Sequence, residues 1–294
     1  GIIVGTSEGA LGTCCDFQSM ITEKGNASGS AFKFPNTVYN AAGGYLSICS
    51  GIKGYNVTVT NGAQSGLASM AYAMSVLRSG QENAMLATGS DENSDIMTEL
   101  FGKLGVTSEK VVAPFAGNDG FVLSDGSASV LIEDEKAARE RGARIYCHAA
   151  GYGMAHSNVK FGTLTGSEAG LTNAVNNALA DAGMTIDDID AVFGFANGMK
   201  AVDDVEIKGL TAVFGDKLAE KPVVELKEVL GESRAAAATT AAAHAALMFA
   251  GKIPSQDAYS IAADGSVSKT KAEASKLNNV LVAAYGAGGS YTAI

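Results

Sequence analysis

The chain has 294 residues, of which 47% are apolar, and its mean hydropathy is +0.13. That length can supply one large core or two half-size units packed together. Its 21 basic and 31 acidic residues give a net charge of −10, which argues against nucleic acid and anionic membranes as partners. The sequence also contains no apolar run long enough to span a bilayer, so we expect no membrane partner.

The cysteines and the first residues indicate the compartment. Cys14, Cys15, Cys49 and Cys147 lack the spacing of metal ligands, so we expect reduced thiols in a cytoplasmic protein that holds neither metal nor cofactor. Gly1 opens an apolar segment that is typical of a core strand and not of a signal peptide. A chain that starts within a strand and without Met looks like a piece of a longer one.

Strands and helices alternate along the first half of the chain. The apolar pattern predicts strands over 1–6, 57–60 and 85–89, helices over 38–51, 67–78 and 133–141, and a hairpin of 119–123 with 127–132, closed by 124–126.

The second half repeats the alternation of strands and helices. We predict strands over 145–153, 190–195, 223–226, 279–285 and 290–294, and helices over 166–183, 202–214 and 233–250. Residues 1–142 and 143–294 thus form two halves of the βαβαβ type. No linker of biased composition separates them, so we predict one intertwined α/β body with five layers.

The most informative local feature is a strand, a sharp turn and a helix between residues 56 and 78. This arrangement mounts a nucleophile at a helix N-terminus, where the helix dipole lowers the pKa of a thiol. The turn here carries Ala63 and Gln64, and neither side chain can attack a carbonyl group. The scaffold of a catalytic centre is therefore expected without its nucleophile.

Several segments are similar, in the same order, to motifs of one enzyme family. They are FPNTVYNAA at 34–42, GYNVTVT at 54–60, DGFVLSDG at 119–126, RGARIY at 141–146 and YGAGG at 285–289. The chain resembles the β-ketoacyl synthase family, which implies a thiolase-like fold in a five-layer αβαβα arrangement. The opening strands of that family have no counterpart in this sequence, so we expect the N-terminal part of the fold to be incomplete.

The resemblance also locates the catalytic positions. Condensing enzymes of this family use a Cys that accepts the acyl chain and two His that assist decarboxylation. Their motifs match this sequence with the Cys on Ala63, the first His on Asn197 and the second His on Glu232, while the family Lys is retained as Lys227. The Phe that gates the nucleophile matches Ala287. With no thiolate and no His donors, ordinary condensation is excluded, and we expect no catalysis by this chain alone.

Within that family the chain resembles the chain length factor of type II polyketide synthases, which lacks the Cys and often has Gln there. Gln64 is offset by one position from that match. The resemblance implies a heterodimer with an active ketosynthase, in which this subunit shapes the tunnel for polyketide or aryl-polyene-type chains. Asp91, Glu92 and the stretch 96–103 are candidates for the tunnel lining, and Gln64 and Ala287 for binding.

Charge suggests how the carrier protein would dock. Acyl carrier proteins are acidic, so a subunit with a net charge of −10 is a poor platform, and we expect the carrier to bind mainly the partner.

Two other functions stay open. One is an enzyme of altered chemistry that uses Glu232 and Asn197 for hydrolysis, decarboxylation or cyclisation of an acyl thioester. The other is a purely structural protein without a tunnel.

Three acidic residues lie close together in the second half of the chain. Asp203, Asp204 and Glu206 fall at the start of the helix predicted over 202–214. Carboxylates in the first turn of a helix interact favourably with its dipole. We therefore expect a solvated helix N-terminus here and not a metal site.

Overall fold

In the computed structural model, which describes residues 1–160 and 162–294, helices and strands alternate much as the apolar pattern predicts. The helices are α1 (Leu11–Lys24), α2 (Ala41–Ser50), α3 (Ser65–Arg78), α4 (Asp95–Lys103), α5 (Glu135–Glu140), α6 (Glu168–Ala182), α7 (Lys200–Phe214), α8 (Lys227–Leu230) and α9 (Ala235–Phe249). The strands are β1 (Ile2–Gly5), β2 (Asn56–Val59), β3 (Ala84–Asp91), β4 (Gly126–Glu133), β5 (Gly153–His156), β6 (Ala191–Phe193), β7 (Val223–Val224), β8 (Ser255–Ile261), β9 (Val267–Glu273), β10 (Val280–Gly286) and β11 (Ser290–Ala293).

The strands form two sheets. The first sheet has the order β2-β1-β3-β4, with β2 and β3 parallel to β1 and β4 antiparallel to β3. The second has the order β5-β11-β10-β6-β7-β8-β9, and its centre, β10-β6-β7, is parallel. Parallel strands align their carboxyl ends at one edge, which is where ligands bind in such sheets. Here that edge carries the polar residues described below.

Helices α3 and α9 form the layer between the two sheets. Helix α3 contacts β1, β3 and β11, while α9 contacts β3, β4, β6 and β10. Helix α2 covers the first sheet, and α6, which packs on α7, covers the second. This arrangement confirms the predicted thiolase-like α/β fold with five αβαβα layers, whose core lies around α3 and α9.

Close backbone contacts in the central layer require small residues. A Cβ on Gly66 of α3 would lie 2.0 Å from the carbonyl oxygen of Ala235, and one on Gly89 of β3 would lie 2.4 Å from it. Real side chains do not tolerate such distances, so glycine at both positions lets the first turn of α9 approach the first sheet. This approach joins residues near the start of α9 to the ends of β1 and β3.

Two predicted elements are wrong. Strand β4 pairs along its whole length with β3 and not with residues 119–123, so the predicted hairpin does not form. The eight residues of β3 offer β4 a longer ladder than residues 119–123 could. Phe121 instead bridges to Thr107, and Leu123 bridges to Glu232. The strand predicted over 145–153 is also wrong: residues 145–152 form no strand, and β5 begins only at Gly153, where β11 offers a pairing partner.

Other elements were missed by the sequence analysis. Helices α1 and α4 and the hairpin of β8 with β9 were not predicted. Helix α1 has no buried residue, so it lacks the packed apolar face that marks most helices of a folded domain. Within residues 1–160 and 162–294, no helix combines the length and apolar character needed to cross a membrane.

Candidate functional site

The predicted elbow lies between β2 and α3. Gly62 adopts a positive φ of 69°, and the Ser65 hydroxyl closes the turn by donating to the Gly62 carbonyl oxygen at 2.6 Å. The Asn61 N–H in turn donates to Ser65 Oγ at 2.7 Å. Ala63 is half-buried in this rigid turn, immediately before the helix N-terminus. The position that the resemblance assigns to the nucleophile therefore lies in a turn before a helix N-terminus, and it carries a methyl group.

Gln64 is fully buried behind the elbow. Its Nε2 donates to the Asn61 carbonyl oxygen at 3.3 Å, and its Oε1 accepts a hydrogen bond from Thr292 Oγ1 at 2.6 Å. The side chain therefore fastens the turn to β11 of the second sheet. In this structure Gln64 is a cross-link between the two sheets, and its amide has no exposed surface for a ligand.

The second part of the site lies at the carboxyl ends of β6 and β7. Asn197 follows β6, and Glu232 follows the short helix α8; both side chains are buried. Asn197 Nδ2 donates to Glu232 Oε2 at 2.9 Å, and Lys227 Nζ donates to the same oxygen at 2.8 Å. The Arg234 N–H donates to Glu232 Oε1 at 2.9 Å. The structure thus brings together the positions that the resemblance assigned to the two His and the Lys.

Lys227 has further partners on the inner side. Its Nζ donates to the Phe195 carbonyl oxygen at 3.1 Å and lies 3.1 Å from the centroid of the Phe195 ring. A buried ammonium group needs such partners, because desolvation is costly for an unpaired charge. Lys227, Glu232 and Asn197 therefore form a buried network, here called the Lys–Glu–Asn lock, in which both Glu232 oxygens accept hydrogen bonds.

Asp203 supports the loop that carries Asn197. Asp203 Oδ1 accepts from the N–H groups of Asn197 and Gly198 at 3.0 and 3.2 Å, and Oδ2 accepts from the Phe115 N–H at 2.7 Å. Burial raises the pKa of Asp203 to about 6, although these backbone donors lower it.

The expectation of a solvated acidic helix start is therefore wrong for two of its three residues. Asp203 and Glu206 are 1% and 2% exposed, respectively. Asp204 alone forms a surface ion pair, with Lys200 at 2.6 Å. The reason is the helix period, since positions 203 and 206 share the face of α7 that packs inward.

The candidate lining and binding residues differ in their burial. Asp91 is buried at the end of β3, where it accepts from Thr6 Oγ1 at 2.6 Å and from the Ala235 N–H at 2.9 Å. Its carboxylate also accepts from the Ser7 N–H, so it serves to join β1, β3 and α9. Glu92 and Ala287 are exposed.

Residues near the start of α9 were missed by the sequence analysis. Arg234 is buried with a positive φ of 52°, which is uncommon for a residue with a side chain. Its Nε donates to Glu8 Oε2 at 2.8 Å and its Nη2 donates to the Glu92 carbonyl oxygen at 2.6 Å. A lone arginine before an alanine run is the signal that could have identified it. Burial raises the pKa of Glu8 to about 7, against the lowering effect of Arg234.

A cleft of about 120 Å³ opens above the Lys–Glu–Asn lock. Asn197, Lys227 and Glu232 lie at its polar side, and Val111 and Val229, which are 78% and 81% exposed, lie at its apolar rim. The cleft therefore places the buried Asn197 and Glu232 next to space that is open to solvent. Among residues 1–160 and 162–294, no group of three or more His, Cys, Asp or Glu is placed to hold a metal ion.

Comparison with known families covers most of the chain. The β-ketoacyl synthase N-terminal domain matches residues 1–138, and the β-ketoacyl synthase C-terminal domain matches residues 146–260. The 3-oxoacyl-[acyl-carrier-protein] synthase 2 of Vibrio harveyi is 29% identical over 232 residues, which are 76% of this chain and 56% of the relative. The chain spans about half the length of the curated relatives it matches.

Another relative and two solved structures are also similar to this chain. The putative polyketide beta-ketoacyl synthase 1 of Streptomyces cyaneus is 30% identical over 191 residues, which are 62% of this chain and 45% of the relative. The ishigamide ketosynthase/chain length factor superposes with a TM-score of 0.86 and 23% identity, covering 99% of this chain and 73% of the other. A type II PKS acyl-carrier protein in complex with its ketosynthase superposes at 0.87 with 19% identity, covering 100% and 76%. These structures share the fold, and the two domain matches give the family: the chain belongs to the β-ketoacyl synthases.

Proposed function

We propose that this chain is a non-condensing subunit that pairs with an active ketosynthase in the cytoplasm and shapes the tunnel in which that partner elongates a polyketide or aryl-polyene-type chain. The observation that carries the proposal is the pair of changes at the two ends of the site. A methyl group stands at the elbow, and the Lys–Glu–Asn lock stands where the family has two His.

Both changes remove a step of condensation. Ala63 offers no atom that can form a thioester, so no acyl chain can be held covalently at the elbow. Decarboxylation needs donors that face the developing negative charge of an enolate. Glu232 is a carboxylate held by an ammonium group, and its negative charge opposes an enolate at that place.

A partner subunit has a suitable edge to pair with. Strand β2 lies at the edge of the first sheet, and Val57 within it and Tyr55 just before it are each 37% exposed. An exposed strand edge presents unpaired backbone groups, which proteins cover or pair with another strand. Antiparallel pairing of β2 with the same strand of a ketosynthase would cover it, and a tunnel would lie beside that interface.

The net charge supports a division of labour between the subunits. Acyl carrier proteins are acidic, and this chain carries a charge of −10. Like charges slow encounter and disfavour docking. The carrier protein would therefore deliver its cargo mainly through the partner.

An enzyme of altered chemistry is the second candidate, and the cleft above the lock is the observation that favours it. A general base needs a free lone pair aimed at its substrate. Glu232 instead accepts three hydrogen bonds, from Asn197, Lys227 and the Arg234 N–H, and the Lys227 ammonium group pairs with its charge, so little of its acceptor capacity is left for a substrate. The geometry therefore favours the non-condensing role.

The test is co-expression with a Cys-bearing ketosynthase from the same organism, followed by size-exclusion chromatography and an elongation assay. We expect a stable heterodimer that elongates malonyl-carrier substrates, while this chain alone turns over no acyl thioester. Val57→Lys on β2 should weaken the heterodimer. Leu131→Lys on β4, which introduces the same charge at the opposite edge of the same sheet, should leave it intact.

Three results would contradict the proposal. One is elongation by this chain in isolation. Another is thioester turnover that disappears in Glu232→Gln, which would establish the altered chemistry. The last is a heterodimer that tolerates Val57→Lys and fails with Leu131→Lys, which would move the interface away from β2.

A further inference from the structure

Two buried carboxyl groups meet beside Gly194, below the site described above. Glu225 follows β7 and is 3% exposed, and Glu206 on α7 is 2% exposed. A Cβ built on Gly194 would lie 2.0 Å from Glu225 Oε1 and 2.1 Å from Glu206 Oε1. Because both oxygens lie close to the same point, they are no farther apart than the sum of these two distances. The missing side chain of Gly194 leaves the space in which they meet.

These oxygens lack donors. Glu206 Oε2 accepts from the Phe195 N–H at 2.7 Å. Within residues 1–160 and 162–294, no N–H or O–H group donates to Glu206 Oε1 or to either oxygen of Glu225. Two ionised carboxylates at this distance, buried and without donors, would repel each other strongly.

The groups around Glu206 and Glu225 offset little of the repulsion between their charges. Asp203 on α7 adds negative charge beside Glu225, Glu232 after α8 adds it beside Tyr285 on β10, and Tyr259 on β8 lies near Glu225 and Asp203. Lys227 is the cation that acts on Glu225, and it is already held by Glu232 and the Phe195 carbonyl oxygen. Burial and the Glu206 charge raise the pKa of Glu225 well above its ordinary value.

We propose that Glu206 and Glu225 hold one proton between them at neutral pH, so that a carboxylic acid on Glu225 donates to Glu206 Oε1 and joins the carboxyl ends of β6 and β7. A shared proton supplies the missing donor and leaves one negative charge in place of two. The pair is connected to the Lys–Glu–Asn lock, because Phe195 donates its N–H to Glu206 and accepts from Lys227 through its carbonyl oxygen.

Loss of that proton makes the lock sensitive to alkaline pH. A second buried negative charge would attract the Lys227 ammonium group away from Glu232, and Glu232 would lose a partner. The structure thus contains a proton-dependent connection between the interior of the second sheet and the cleft. It acts within the described chain and requires no ligand.

The test compares thermal unfolding of wild type and Glu225→Gln from pH 6.5 to pH 10. The amide keeps the shape of the protonated acid and can donate to Glu206 at every pH. We expect the Tm of wild type to fall by at least about 3 °C more than that of Glu225→Gln across this range. Glu228→Gln, which changes an acid on α8 whose partners are Tyr259 and Lys269, is the matched control and should keep the wild-type pH dependence.

Infrared spectroscopy provides a second test that does not depend on the folding of Glu225→Gln. In a Glu8→Gln background, which removes the carboxyl group whose pKa is about 7, the infrared carbonyl band of a protonated carboxyl group should be present at pH 8 and should disappear reversibly at more alkaline pH. Absence of that band at pH 8, or parallel Tm curves for wild type and Glu225→Gln, would overturn the shared proton. A Tm that rises with potassium or sodium but not with tetramethylammonium would overturn it in favour of a bound cation.

Discussion

Asn197 and Glu232 are 35 residues apart in the chain, yet Asn197 Nδ2 donates to Glu232 Oε2 at 2.9 Å. They occupy the positions that the family resemblance assigns to two catalytic His, and Lys227 binds the same oxygen at 2.8 Å. The second sheet therefore still brings these positions together, because the carboxyl ends of β6 and β7 lie side by side. Under the proposed assignment, an ion pair stands where the family has neutral donors.

Removal of Glu232 should destabilise the protein through Lys227. The ammonium group would stay buried without a counter-charge, and breaking a buried ion pair in this way costs about 3–5 kcal/mol. We expect Glu232→Ala to lower the free energy of unfolding by that amount in urea titrations. The double variant Glu232→Ala with Lys227→Met should recover part of the loss, and a double variant less stable than Glu232→Ala would contradict the lock.

A thiol at the elbow should not restore condensation. In Ala63→Cys the sulfur would lie before the N-terminus of α3, where the dipole favours a thiolate. We expect mass spectrometry to find an acyl group on residue 63 after exposure to an acyl thioester. Decarboxylation of a malonyl thioester should stay at the wild-type level, because Asn197 and Glu232 are unchanged. Wild type, with its own four cysteines, gives the background. Condensation by this single variant would contradict the assignment.

Gln64 should prove structural. Gln64→Leu leaves Thr292 Oγ1 without its acceptor, and a buried unsatisfied group costs about 1–3 kcal/mol. Denaturant titrations should show that loss, and Thr292→Val in the same chain should restore part of it. An unchanged stability, together with a changed product length in the heterodimer, would instead make Gln64 part of the tunnel.

Stability should fall with rising pH through Glu8. Burial raises the pKa of Glu8 from 4.5 in the unfolded chain to about 7, so the folded state binds its proton more tightly. Its contribution is complete below about pH 4.5 and is lost as pH rises through about 7, amounting to at most about 3 kcal/mol.

The check is the free energy of unfolding from pH 4 to pH 8 in wild type and Glu8→Gln. The variant should lack this part of the slope, since an amide does not titrate in this range. Asp190→Asn, at an acid that accepts from the backbone N–H groups of Asn278 and Asn279, serves as the comparison and should keep the slope. An identical slope in all three proteins would show that Glu8 is not the group responsible.

The sequence by itself determined the order of most helices and strands, the five-layer fold and the elbow with Ala63 and Gln64. These features are local or follow from apolar periodicity, so they can be read without knowing what packs on what. The elbow is such a case: a strand, a glycine-rich turn and Ala63 are all visible in ten residues. The motifs that carry the resemblance are equally local.

Only the tertiary structure decided which polar residues act together and which are buried. Asp91 and Gln64 looked available for binding, yet partners 144 and 228 residues away occupy them. Asp203 and Glu206 looked solvated, and the packing of α7 buries both. The physical reason is that burial and hydrogen-bond partners depend on contacts distant in the chain, which create the electrostatic environment that a local pattern does not contain.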